Sequence, residues 1–124
     1  MTSPAAEDLG AVAADVGKVD RLAVINLDHL SAFTDGSREL EAELADLFLT
    51  TANRYLGGMK TALLEERSWA ADVHALKGAS ANLGAQRVAA LAAAAECVPS
   101  SNARLETLRS AVDEVACFFA DRNP

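Results

Sequence analysis

The apolar residues of this chain recur at intervals of three and four, which confines it to helices packed side by side. The clearest stripe is the last one, Leu105, Leu108, Val112, Val115 and Phe119, with the three–four alternation of a bundle seam. Leu40, Leu44, Leu47, Phe48, Tyr55 and Met59 keep helical spacing from Ser37 to about Leu64. Trp69, Val73, Leu76 and Leu83 form another stripe, on which the small Ser80 also falls, and Val88, Leu91, Ala92 and Ala95 form one between about Gln86 and Cys97. Breaks fall at Asp35-Gly36, Gly84 and Pro99 with its two following serines. Asp28, Ser37 and Ser68 are the expected N-caps. A short helix is also expected over residues 5–15, after Pro4 and before the interruption at Gly17 and Lys18. Short connections between long helices imply antiparallel neighbours. The expected fold is therefore all-α, an antiparallel up-down four-helix bundle over residues 26–124. One or two short N-terminal helices precede it, the first in an extension over residues 1–25.

Composition narrows the function. A length of 124 residues suits one domain with a single core. Eleven basic residues against eighteen acidic ones give a net charge of −7, which argues against non-specific nucleic-acid binding. No apolar run approaches the ~18–20 residues of a membrane span, and the opening MTSPAAEDLG lacks a basic-then-apolar leader pattern, so a cytoplasmic location is expected. Cys97 and Cys117 are expected as free thiols at opposite ends of the bundle. No His/Cys/Asp/Glu cluster has metal-ligand spacing, and no phosphate loop, nucleophile elbow or ATP-binding pattern is present. Neither a bound metal nor a cofactor is expected.

The chemistry concentrates in residues 74–84, HALKGASANLG. Lys77 and Gly78 lie three and four residues beyond His74, one helical turn on and on the same face. At roughly 100° per residue, His74 points about 140° away from the centre of the apolar stripe, towards solvent. Its neighbours there are Ala70, Ala71, Lys77, Gly78 and Ala81, where an ordinary exposed face would carry long polar side chains. Gly78 costs about 1 kcal/mol relative to Ala in a helix interior, a cost accepted where something must come close. The wheel alone leaves two readings open: a site, or an ordinary surface histidine on an Ala-rich helix. His29, between Asp28 and Leu30, has no comparable surroundings. Gly57-Gly58 inside the long helix is either a point of close approach to the histidine helix or a tolerated defect.

The run VHALKGASANLGAQRVAALAAAAE, residues 73–96, resembles the histidine-containing phosphotransfer (HPt) domain family. The family pattern appears as His74, Leu76, Lys77, Gly78, Ala79, Ser80 and Gly84, with Ala79 standing where Ser is common. The likeness extends over about residues 26–120, from the opening helix around Leu27, Asp28, Leu30 and Phe33, through residues 38–65, to the lead-in at Ser68-Trp69-Ala70-Ala71. The resemblance implies His74 as phosphoryl acceptor, Lys77 holding phosphoryl oxygens, Gly78 leaving room for the partner, Ser80 close by the site and Gly84 closing the helix. It also implies Gln86 and Arg87 near the phosphate. Leu30 and Phe33, with Ala70, Ala71, Gly78 and Ala81, are the expected docking surface. The implied partners are response-regulator receiver domains and hybrid histidine kinases. The divalent metal would sit on the receiver, and the chain itself would be a monomeric carrier without kinase activity. Two rivals stand beside this reading. A dimerising phosphorylation domain of a sensor kinase would carry an acidic residue after the histidine, where this chain has Ala75. A helical interaction module would bind receivers or kinases without carrying phosphate.

Overall fold

The computed structural model describes residues 22–122, and every regular element among them is a helix. These are α1 (Leu27–Thr34), α2 (Arg38–Leu64), α3 (Ala70–Leu83), α4 (Gln86–Ala95) and α5 (Asn102–Arg122). The helix expected over residues 5–15 lies outside the described residues.

Helix ends follow local capping chemistry. Asn26 caps α1, its side-chain oxygen accepting from the His29 N–H at 3.1 Å; Asp28, the expected cap, sits one step inside the first turn. Asp35 and Gly36 both take left-handed conformations, and the Ser37 hydroxyl then accepts from Leu40 N–H to open α2. Ser68 supports the start of α3 from one residue further back than expected: Trp69 occupies the cap position, and the Ser68 hydroxyl accepts from Ala70 N–H at 3.2 Å. Gly84 ends α3 at φ +89°, and the N–H groups of Gly84 and Ala85 both return to the Ser80 carbonyl.

The four long helices form a ring. α2 packs on α3 and α5, and α4 packs on the same two, while α1 lies against α2. The α5 stripe is buried throughout, as its spacing predicts. The α2 core face differs from expectation. It runs through Glu41, Ala45, Phe48, Ala52, Leu56, Met59 and Ala62, whereas Leu40 and Leu47 are exposed and Leu44 and Tyr55 half-buried. At roughly 100° per residue, Leu40, Leu44 and Leu47 share one strip, but it is turned about 100° round the helix from the core face, and Leu44 and Leu47 wall a groove beside α1; alanines fill the core positions between the large residues. Glu41 is buried at the start of α2, where both carboxylate oxygens accept from Arg122 Nε at 3.0 and 2.9 Å, fastening the start of α2 to the end of α5.

Two glycines mark close contacts. A Cβ at Gly58 would stand 2.7 Å from a carboxylate oxygen of Asp72, so Gly58 sits against the histidine helix, whereas Gly57 is exposed and a Cβ there would meet nothing within 4 Å. A Cβ at Gly84 would stand 3.1 Å from the His29 ring and 3.2 Å from the Asn26 carbonyl. His29 is thereby structural: its Nε2 bonds the Asn82 carbonyl oxygen at 2.9 Å and its ring meets Phe33 edge-on, docking α1 on the end of α3. Cys97 and Cys117 are free and exposed. Cys117 lies 15 residues into α5, about 22 Å from the helix start that Cys97 approaches.

Candidate functional site

α3 buries Val73, Leu76, Ser80 and Leu83, and this stripe turns His74 outward with 71% of its side chain exposed. Ala70, Ala71, Gly78 and Ala81 are exposed around it, and a Cβ added at Gly78 would meet nothing within 4 Å. Nothing inside the fold requires Gly78; its missing side chain simply leaves the ground beside His74 low and open.

The residue that completes the site is Glu96. It follows the last turn of α4, and its carboxylate bridges two groups of α3. Oε2 lies 3.3 Å from His74 Nδ1, and Oε1 forms an ion pair with Lys77 Nζ. The Lys77 ammonium, and to a lesser degree the His74 ring, hold the Glu96 carboxyl below the usual carboxylate range, outweighing the opposing effect of partial burial. Glu96 is therefore a carboxylate at neutral pH. A carboxylate only accepts, so the ring makes this contact as a hydrogen bond with a proton on Nδ1, while Nε2 has no hydrogen-bond partner among the described residues. Sequence reading missed Glu96 because it looked along one helix. The signal was present in the hairpin: with the turn at Gly84, residues 74 and 96 lie almost equally far along two antiparallel arms.

Other expected site residues fall elsewhere. Ser80 is fully buried and its hydroxyl donates to the Leu76 carbonyl at 2.7 Å, so it faces the core, as its place on the apolar stripe requires. Gln86 and Arg87 open α4 at the Gly84 end of the hairpin, about 15 Å along α3 from His74 at 1.5 Å per residue. Arg87 turns the other way, bonding the Leu22 carbonyl at 2.7 Å and pairing with Glu114 of α5 at 2.9 Å. The antiparallel return brings the end of α4, not its start, to the histidine. Leu30 is 1% exposed and belongs to the core, whereas Phe33 is 61% exposed. Phe33 borders an open groove of about 480 Å³ between α1, α2 and α3, walled also by Leu44, Leu47 and Thr51 and reaching Ala79 and Asn82 of α3. Among the described residues no group of three or more His, Cys, Asp and Glu is arranged to hold a metal, and no helix is long and apolar enough to cross a membrane.

A ring of four helices that presents one imidazole on a stripped face, with a cation and a carboxylate beside it, has the form of a phosphotransfer bundle. Residues 43–116 match the family model of the Hpt domain, more than half of the chain, and the chain belongs to that family. It is thus a histidine phosphotransfer module of the two-component type, a class of phosphocarriers rather than kinases. Neither a curated protein nor a solved structure gave a match to the chain.

Proposed function

We propose that the chain is a phosphorelay intermediate that accepts a phosphoryl group on His74 Nε2 from a receiver-domain aspartate or a kinase and passes it to another receiver. The observation that carries this reading is the Glu96 carboxylate against His74 Nδ1, with Nε2 left outward on an uncrowded face. The Nε2 lone pair attacks phosphorus in line with the departing carboxylate oxygen, so the N–P bond forms as the P–O bond breaks. Such transfers depend on positioning and charge stabilisation. Lys77, one turn from His74 and held by Glu96, supplies the positive charge on this chain for the phosphoryl oxygens. The divalent cation and its acidic cage belong to the receiver, and no cofactor of the chain itself enters.

The receiver docks over Ala70, Ala71, Gly78 and Ala81, with the groove beside Phe33 and Leu47 extending the surface. Small residues let a partner backbone come near, and the exposed Phe33 and Leu47 add apolar area. The carrier works as a cytoplasmic monomer. The alternative, a binding module that carries no phosphate, fits the groove but leaves the His74–Glu96–Lys77 set without a purpose.

The test is incubation with phosphorylated receivers. Acid-labile, base-stable label should appear on the wild-type chain and be lost in His74→Gln, whose fold stays intact by circular dichroism. Label retained in that variant refutes the assignment, and label on His29 shows the wrong histidine was chosen.

A further inference from the structure

The groove between α1, α2 and α3 leaves two large apolar side chains open, Phe33 at 61% and Leu47 at 63% exposure. Leu44 and Thr51 continue its α2 wall, and Ala79 and Asn82 form its α3 wall. Apolar side chains grouped in this way mark a surface that something covers. Residues 1–21 precede Leu22, and their sequence holds an apolar stripe of its own. Ala5, Leu9, Val12 and Val16 recur at four, three and four, the alternation of a bundle seam, while Glu7, Asp8 and Asp15 fall off that stripe. We propose that residues 5–16 return along the groove as a helix and lay this stripe into it, so that the chain shields part of its own docking surface. Occupancy of the groove stands independently of the phosphorelay reading; its effect on transfer rests on that reading.

The extension joins the bundle close to the groove. Arg87 Nε donates to the Leu22 carbonyl at 2.7 Å and fixes the point of entry. Leu22 and His29 line one depression at the start of α4, and the His29 ring lies 5.2 Å, centroid to centroid, from Phe33 in the groove wall. Gly17 suits the end of the helix, and residues 17–21 form the link to Leu22. At up to about 3.5 Å per residue this link spans roughly 17 Å, enough to cross α1, a helix about 10 Å wide. A helix over residues 5–16 extends about 18 Å, and the α2 wall from Leu44 to Thr51 rises about 10 Å, so the helix covers the groove along its length.

A helix of this length is marginal by itself, and Gly10 weakens it by about 1 kcal/mol relative to Ala. It gains stability only where its stripe meets an apolar surface, and the short link holds it beside one at a local concentration on the order of millimolar. No separate copy or partner reaches such a concentration without binding energy of its own. The same marginality lets a receiver displace it by burying the groove and the small residues around His74 together. Phosphoryl uptake from a receiver is then reduced by the fraction of chains in which the groove is covered. A small phosphoryl donor needs no docking surface and escapes that reduction.

The experiment compares the full-length chain with the double variant Leu9→Asp, Val12→Asp, whose changes lie outside the bundle core. In the wild type, NOEs should join the Leu9 and Val12 methyls to the Phe33 ring and the Leu47 methyls. They should vanish in the variant while NOEs within the bundle persist, and a mixture of labelled and unlabelled chains should show them to be intramolecular. Uptake from a phosphorylated receiver should rise several-fold in the variant, with uptake from phosphoramidate equal in both chains. Absence of the NOEs in the wild type overturns the proposal, and NOEs arising only between chains overturn it in favour of a second copy in the groove. NOEs present with equal receiver uptake in both chains overturn the shielding. Failure of both chains to take a phosphoryl group from either donor overturns the carrier reading instead, and the NOEs alone then decide the occupancy.

Discussion

Glu96 and His74, 22 residues apart in sequence, meet across the α3–α4 hairpin with Oε2 of one 3.3 Å from Nδ1 of the other. The same carboxylate holds Lys77, so three side chains from two helices form one unit on an otherwise bare surface. The unit exists because Gly84 ends α3 in a left-handed turn and sends α4 straight back along it.

That arrangement fixes the acid limit of the site. The Glu96 carboxyl is held below its ordinary value of 4.5, chiefly by Lys77, so the unit should stay assembled at neutral pH and come apart only as pH falls through that lowered value. Whatever stability it lends the fold is fully present above the unfolded carboxyl range and is lost on the acid side. A ¹³C titration of the Glu96 side chain should give a midpoint below 4.5 in the wild type and a higher one in Lys77→Ala. Equal midpoints would show that Lys77 does not hold the carboxylate.

Lys77 should matter to transfer far more than to folding. Its pair with Glu96 lies at the surface, where such pairs contribute little to stability. Lys77→Ala should melt close to the wild type. It should nevertheless slow phosphoryl uptake or shorten the life of the phosphohistidine, because the Glu96 charge then faces the incoming anion uncompensated. Unchanged kinetics on both counts would reduce Lys77 to an ordinary surface charge.

Gly84 should be the least replaceable glycine of the bundle. Its φ of +89° is a conformation L side chains rarely adopt, and a Cβ there would press on the His29 ring at 3.1 Å. Gly84→Ala should destabilise the fold by about 1–2 kcal/mol from the backbone alone, read as a lower denaturant midpoint. Because α1 is docked through His29 and the Asn26 N–H to Gly84 carbonyl bond of 2.8 Å, amide exchange in α1 should rise first. Uniform destabilisation with α1 still protected would detach Gly84 from that docking.

Much of this was legible in the sequence, for reasons particular residues make plain. The α5 stripe and the breaks at Asp35-Gly36 and Gly84 rest on local periodicity and backbone preference, and both carried through to the structure. His74 and Gly78 came from the wheel of a single helix, and their exposure followed from the burial of Val73 and Leu76. What local reading lost was tertiary. Leu47 and Leu40 look like core residues until the alanines of α2 are seen to face the bundle. Arg87 looks close to His74 in sequence, yet the hairpin carries it to the far end and leaves Glu96 in the place it was expected to fill. Asn26 displaced Asp28 as the cap because either residue can cap a helix and the choice depends on where the chain leaves Gly84.

Gly78 separates folding from partner access. A side chain there would stand in open space, since an added Cβ meets nothing within 4 Å. The fold therefore has no steric objection to a larger residue, and helix propensity favours one: Gly is about 0.8–1.0 kcal/mol worse than Ala, and Gln is a good helix former. Gly78→Gln should hold or raise the melting temperature. The same side chain would project beside the His74 ring, over ground that a receiver must cross to bring its aspartate within bonding distance of Nε2. Phosphoryl transfer from a receiver should accordingly fall, while phosphorylation by phosphoramidate, which needs little room, should survive. Transfer from the receiver at the wild-type rate would show that the partner does not approach over Gly78, and the docking surface would then have to lie on the other side of His74.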